Sequence, residues 1–167
     1  MIKVGDALPD VTLQEYSEVE GEGCSIGPNP VKVAQAAAGK TIALFGLPGA
    51  FTPTCSGKHL PGYLSSYDKL RAKKVDQIWC VAVNDGYVMA AWGLDQKVGG
   101  KIRMLGDGNG QWTKALGLEL DTSAGGMGLR MKRCSLLVDD GVVKRVNVEE
   151  PGKFEASSAE TMLGQLG

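Results

Sequence analysis

Between residues 41 and 116, short apolar runs alternate with stretches of helical spacing, and this alternation narrows the fold more than any other feature of the chain. An apolar run at 41–45 precedes a helical run from about 53 to 73. Then come an apolar run at 77–83, a helix near 87–96, a strand at 102–105 and a short helix around 111–116. Strands that alternate with helices imply an α/β fold whose parallel strands are covered by helices on both faces. Upstream, residues 11–16 read as a short strand, and the Gly- and Pro-containing stretch 21–30 as a long surface loop. Downstream, 134–138 and 142–148 flank Asp139-Asp140-Gly141, a hairpin with a Gly-containing turn. The chain closes on a helix, where Ser157-Ser158-Ala159-Glu160 has capping-box spacing with Ser157 as N-cap and Glu160 at N3. The central sheet is therefore expected to be mixed, flanked by helices and completed by a C-terminal hairpin and helix.

Nothing divides the 167 residues, which predicts one domain over 1–167 with a sizeable core. A formal charge of −1, without a long basic tract, argues against nucleic acid or anionic membranes as partners. The N-terminus lacks the apolar core of a signal peptide, and no window nears the roughly 20 apolar residues that span a bilayer. Cysteines 24, 55, 80 and 134 form no C-x-x-C pair, which disfavours a zinc cluster or a secreted disulfide framework and points to the cytoplasm.

The sharpest local signal is Pro48-Gly-Ala-Phe-Thr-Pro-Thr-Cys55. It places Cys55 in the first turn of a helix, after a buried strand, where free amides and the helix dipole favour a thiolate. A free cysteine is commonly a small core hydrophobe, yet the surroundings favour a nucleophile. Thr52 offers a hydroxyl to the thiolate or a bound substrate, and Pro48 and Pro53 stiffen the approach and remove competing donors. His59, the only histidine, follows four residues later on nearly the same helical face. Cysteine hydrolases usually bring their histidine from elsewhere in the sequence, and ligands for a metal are too few, so His59 reads as structural or as a pocket wall. Gly106-Asp-Gly-Asn-Gly110 is G-x-G-x-G, not a dinucleotide fingerprint, and reads as turns. Trp92, Trp112, Phe45 and Phe51 read as core or interface residues, with Phe51 a possible wall of the substrate pocket.

The octet, with His59-Leu60-Pro61-Gly62-Tyr63 behind it, resembles the active-site loop of the peroxiredoxins, and Gly-Ala-Phe-Thr-Pro-Thr-Cys-Ser most resembles the type II (Prx5-like) subfamily of plants and bacteria. The likeness spans nearly the whole chain, including Val4-Gly5-Asp6, Val83-Asn84-Asp85 and Asn147-Val148-Glu149. Pro48, Thr52 and Cys55 meet the family pattern Pro-x-x-x-Thr-x-x-Cys in full. The resemblance implies a thioredoxin-like fold and a thiol peroxidase that needs no metal, flavin or haem.

The resemblance also implies a remote catalytic arginine, matched by Arg133 just before the hairpin; Arg130 is the weaker candidate, and read alone the 130–133 cluster is a solvated patch. A guanidinium there would favour the thiolate and offer a fork of donors to a peroxide oxygen. Cys80, in an apolar strand, is 80 − 55 = 25 residues after Cys55, the spacing of plant-like type II members in which the second cysteine can resolve the sulfenic acid. The alternative is a core thiol. Pairing it with Cys55 would need local unwinding of the helix start. The C-terminal resolving cysteine of animal relatives is replaced by Ala156, Ser157 and Ser158. Cys24 and Cys134 carry no motif, and alternation points Cys134 away from Arg133. Glutathione with glutaredoxin, or thioredoxin, is the implied reductant of a peroxidase for hydrogen peroxide and alkyl hydroperoxides, and a homodimer the implied assembly. A peroxide sensor or redox-switched holdase using the same cysteine is the rival from another class.

Overall fold

A computed structural model describes residues 1–17 and 27–167; Cys24 and most of the stretch expected as a loop lie outside them. In chain order the elements are β1 (Thr12–Ser17), β2 (Gly27–Lys32), α1 (Val33–Ala37), β3 (Thr41–Gly46), a π-helical turn (Cys55–His59), α2 (Leu60–Ser65) and α3 (Tyr67–Ala72). They continue as β4 (Gln77–Ala82), α4 (Gly86–Asp95), β5 (Arg103–Gly106), α5 (Gln111–Leu116), β6 (Glu119–Asp121), β7 (Leu129–Met131), β8 (Cys134–Asp139), β9 (Val142–Val148) and α6 (Ala159–Gln165). The main sheet runs β2-β1-β5-β4-β3-β8-β9. Its centre, β5-β4-β3, is parallel, and both wings are antiparallel. This is the mixed, helix-flanked sheet of a thioredoxin-like fold.

Burial on both faces follows from side-chain alternation in the central strands. Ile42, Leu44, Trp79, Val81 and Leu136 belong to one apolar cluster, with Trp112 and Leu116 of α5 and Val33 and Ala37 of α1. Ala43, Phe45, Ile78, Cys80 and Leu137 belong to a second, with Leu60, Tyr63, Leu70, Met89, Trp92 and Met162 of α2, α3, α4 and α6. The second cluster also holds Cys55. Each fully buried large side chain contributes roughly 1.5–3 kcal/mol.

Several expectations are corrected. Gly27–Lys32 is a strand, not loop, despite Pro28 and Pro30. It lies at the sheet edge, the place where a missing amide is tolerated. The expected single helix at 53–73 is three pieces. Pro61 has no amide to return to the Gly57 carbonyl, so the ladder widens there and Leu60 N–H bonds the Cys55 carbonyl. Ser65 Oγ donates to the Gly62 carbonyl, and the backbone leaves helical geometry at Ser66. The N-cap of α6 is Ser158, whose Oγ accepts from Thr161 N–H, rather than Ser157. The hairpin forms as expected: Asp139 faces Val142, while Asp140 and Gly141 both take positive φ, as a tight primed turn demands.

Candidate active site

The loop after β3 is tied down at two points before it enters the helix, to Asn84, which follows β4, and to Arg130. Ala50 N–H donates to Asn84 Oδ1 at 3.0 Å, while Arg130 Nη1 donates to the carbonyls of Pro48 at 3.4 Å and Val83 at 3.3 Å. A side chain at Gly49 would begin only 2.8 Å from Arg130 Nη1, so glycine is what lets the guanidinium reach across. Arg130 thus tethers the loop and bonds backbone rather than the thiol. Phe51 takes φ 66° at the loop's crest and stands 54% exposed, outside the lining of the neighbouring cavity. A non-glycine residue in this left-handed region is uncommon and gathers at functional loops. Pro53 opens the helical segment, where its missing N–H costs nothing.

Cys55 is fully buried at the head of the π-helical turn. Arg133, 78 residues away and immediately before β8, sends Nη2 to within 3.3 Å of Cys55 Sγ. Its Nη1 lies 3.0 Å from His59 Nδ1. An arginine can only donate, so Nδ1 must accept and the ring proton sits on Nε2, which donates to the Ser157 carbonyl at 3.0 Å. His59 is therefore neutral. Burial first, and the Arg133 charge second, bring its pKa down to about 3. Among the described residues no ion pair involves Arg133, so its positive charge faces the thiol without a carboxylate directly beside it.

Thr52 adopts a different hydrogen bond from the one expected. Its hydroxyl donates to the Gly49 carbonyl at 2.8 Å, which leaves the oxygen free to act as an acceptor. Ser56 Oγ, next to the thiol, accepts from Trp92 Nε1 at 3.0 Å and so binds the turn to α4. A cavity of about 160 Å³, lined by Pro48, Thr54, Lys132, Arg133 and Glu149 among others, opens beside this constellation. A larger cleft of about 730 Å³ lies against α4 and β5, but Cys55 and Arg133 are not in its lining. The smaller cavity is the relevant one because Pro48 and Arg133, the latter in contact with Cys55, line it.

Residues 3–163 match the family described as Redoxin. Over 99% of this chain and 72% of the relative, a chloroplastic peroxiredoxin-2E-2 of Oryza sativa subsp. japonica is 49% identical.

The chain is a type II peroxiredoxin of the Redoxin family.

Two crystal structures resemble this peroxiredoxin over its full length. Reduced Prx3 of Vibrio vulnificus, in complex with H2O2, superposes with a TM-score of 0.92 at 48% identity, covering 100% of both chains. A Burkholderia cenocepacia protein named for thioredoxin reductase superposes with a TM-score of 0.98 at 53% identity, covering 100% of this chain and 99% of that one. As a peroxiredoxin the chain is a thiol-dependent peroxidase, an oxidoreductase with an antioxidant role.

The other thiols differ from Cys55. Cys80 sits opposite Phe45 in β4, the middle strand of the sheet, fully buried and in the same cluster as Cys55. Burial, with the nearby Cys55 adding to it, pushes its thiol well above the ordinary value. Cys134 points into the opposite cluster, as alternation requires. Both are free thiols.

Sequence reasoning missed two partners of the site. The sequence marks His59 as structural or as a pocket wall, and its link to Arg133 has no local sign because Arg133 is 74 residues away. Ser157 was read as a helix cap, whereas its carbonyl receives His59 and Tyr63.

Proposed function

We propose that Cys55 is the peroxidatic nucleophile of a single domain spanning 1–167, acting on hydrogen peroxide and alkyl hydroperoxides. The thiolate attacks one peroxide oxygen. A sulfur–oxygen bond forms as the oxygen–oxygen bond breaks, sulfur loses two electrons to become a sulfenic acid, and the departing oxygen takes a proton and leaves as water or alcohol. The observation that supports this most is the 3.3 Å contact between Arg133 Nη2 and Cys55 Sγ beside a small cavity. A guanidinium at that point can stabilise charge moving onto the leaving oxygen. Thr52, whose own hydroxyl proton is held by the Gly49 carbonyl, accepts a hydrogen bond from the peroxide hydroxyl and so aligns both oxygens. Pro48 presents no amide and walls the thiol from water and further oxidant. That the Vibrio vulnificus relative is described in complex with H2O2 supports the substrate class.

A second thiol then condenses with the sulfenic acid, releasing water, and the resulting disulfide is reduced by a further thiol. Glutathione with glutaredoxin, or thioredoxin, fills this role, with Cys80 as candidate resolving thiol. Its burial in the central strand means that the Cys55 turn must open first. The reading includes a cytoplasmic homodimer with the Cys55 loop near the interface, a position supported by exposed Phe51. Among the described residues no helix is long and apolar enough to cross a membrane.

The test is peroxide consumption by Cys55→Ser with a thiol reductant supplied. Loss of turnover is expected, and turnover at the parent rate would sink the reading. A sensor or holdase would instead be oxidised once per chain without sustained consumption.

A further inference from the structure

Arg133 is aimed by a neutral imidazole, and the imidazole is aimed in turn by the backbone of a segment 98 residues away. That segment has an unusual anchor. A single carboxylate oxygen, Glu149 Oε2, accepts from Glu155 N–H at 2.9 Å, Ala156 N–H at 2.9 Å, Ser157 N–H at 2.8 Å and Ser157 Oγ at 2.7 Å. Glu149 N–H itself donates to the Arg133 carbonyl at 2.9 Å, so the anchor is fixed to the arginine's own backbone.

We propose that Glu149 is a positioning residue for the peroxidase reaction, folding residues 150–158 into a strap that holds His59 and through it the Arg133 guanidinium. The strap makes two contacts with the site. The Ser157 carbonyl accepts from both His59 Nε2 and Tyr63 Oη, the latter at 3.2 Å, which fixes the ring's tautomer and tilt. Phe154 lies 5.1 Å from the His59 ring and 5.9 Å from the guanidinium carbon, closing the outer side of the pair. With Nη1 occupied by His59 Nδ1, Nη2 is left for Cys55 Sγ.

The chemistry explains why the carboxylate works at a distance. A glutamate bonded directly to Arg133 would hold the arginine equally well but would offset the positive charge needed at the leaving oxygen. Here the negative charge is satisfied by four donors of the strap, and a neutral ring passes on the orientation alone. Burial opposes ionisation of Glu149, but the Ser157 hydroxyl and the three amides outweigh it and hold the carboxyl below the usual range.

This inference rests on Cys55 being the peroxidatic residue, and its test separates the two claims. The second-order rate of full-length protein with hydrogen peroxide is compared with the rate of Cys55 alkylation by iodoacetamide. Alkylation needs a reactive, accessible thiolate but no aligned fork. In Glu149→Ala the ratio of peroxide rate to alkylation rate is expected to fall about tenfold or more, since small misalignments carry such losses. Glu149→Gln, whose carbonyl oxygen can receive the same donors, should restore most of the ratio. If Glu149→Ala does not fold by circular dichroism, Glu149→Asp, with its oxygen withdrawn by one methylene, carries the same test. An unchanged ratio in the folded variant overturns the proposal, because a purely structural residue would lower both rates together. Equal losses in Glu149→Ala and Glu149→Gln also overturn it, since charge and not the strap would then be responsible. A Cys55→Ser control that still consumes peroxide overturns the underlying assignment instead.

Discussion

Cys55 and Cys134 are both fully buried and both free, yet they occupy two different kinds of interior. Cys134 lies on one face of the sheet beside Gly46 and Met131, and burial pushes its thiol up to about 12. Cys55 lies on the other face, with a guanidinium donor 3.3 Å away and a cavity alongside. The residue that makes the difference, Arg133, is the immediate neighbour of Cys134 and serves the distant thiol. Burial therefore says little about a cysteine until its polar partner is known.

The largest expected effect comes from making the two sites alike. Arg133→Gln should lower the rate with hydrogen peroxide about 10²- to 10³-fold, the loss typical of one removed charge-stabilising donor. Stopped-flow oxidation under second-order conditions measures it, and a loss below about threefold would break the contrast.

Acid sharpens the comparison next, because only the Cys55 side depends on a neutral histidine. The unfolded chain protonates His59 near 6.5, whereas the folded protein resists until about 3. The unfolded state thus binds the extra proton first, and stability falls as pH drops through this window. Between pH 7 and 5 the loss attributable to His59 is about 2 kcal/mol. Urea unfolding of the parent and His59→Gln at both pH values checks this, with a flatter dependence expected in the variant.

Trp92→Phe removes the bond to Ser56 that fastens the Cys55 turn to α4. A destabilisation of about 1 kcal/mol is expected in thermal or urea unfolding. The smallest effect belongs to Cys134→Ala, which should leave the peroxide rate within about twofold of the parent while removing a small buried side chain at a cost of about 1 kcal/mol. A tenfold fall in its peroxide rate would mean that the two faces of the sheet are coupled.

The local parts of this arrangement were legible in the sequence. Pro48, Thr52 and Cys55 lie within one octet, and the strand and helix runs carry their own periodicity. Arg133 could be found only through resemblance, since its neighbours look like an ordinary charged patch. The strands β6 and β7 span three residues each and have too few positions to show a period. Pro28 and Pro30 hid β2 because the rule they break applies to interior strands and not to edges. Ser157 and Ser158 compete for one cap, and the choice falls to Ser158 because Glu149, eight residues before Ser157 and just past the end of β9, claims the first serine. Such long-range claims leave no trace in local spacing.

The widened turn at Cys55–His59 also has a consequence for how this chain tolerates length changes. A π-helical turn amounts to one residue inserted into an α-helix. Deleting a residue between Ser56 and Lys58 would return the turn to α-helical spacing, with only the bond that Pro61 cannot make still missing. Because Leu60 N–H already meets the Cys55 carbonyl, the shortened turn would keep that bond as an ordinary i→i−4 bond, and Cys55 would stay in phase with the helix that follows. The surplus residue is thus slack taken up within a single turn, so a change of length here is tolerated where the same change in a regular part of the helix would rotate the thiol away from its arginine.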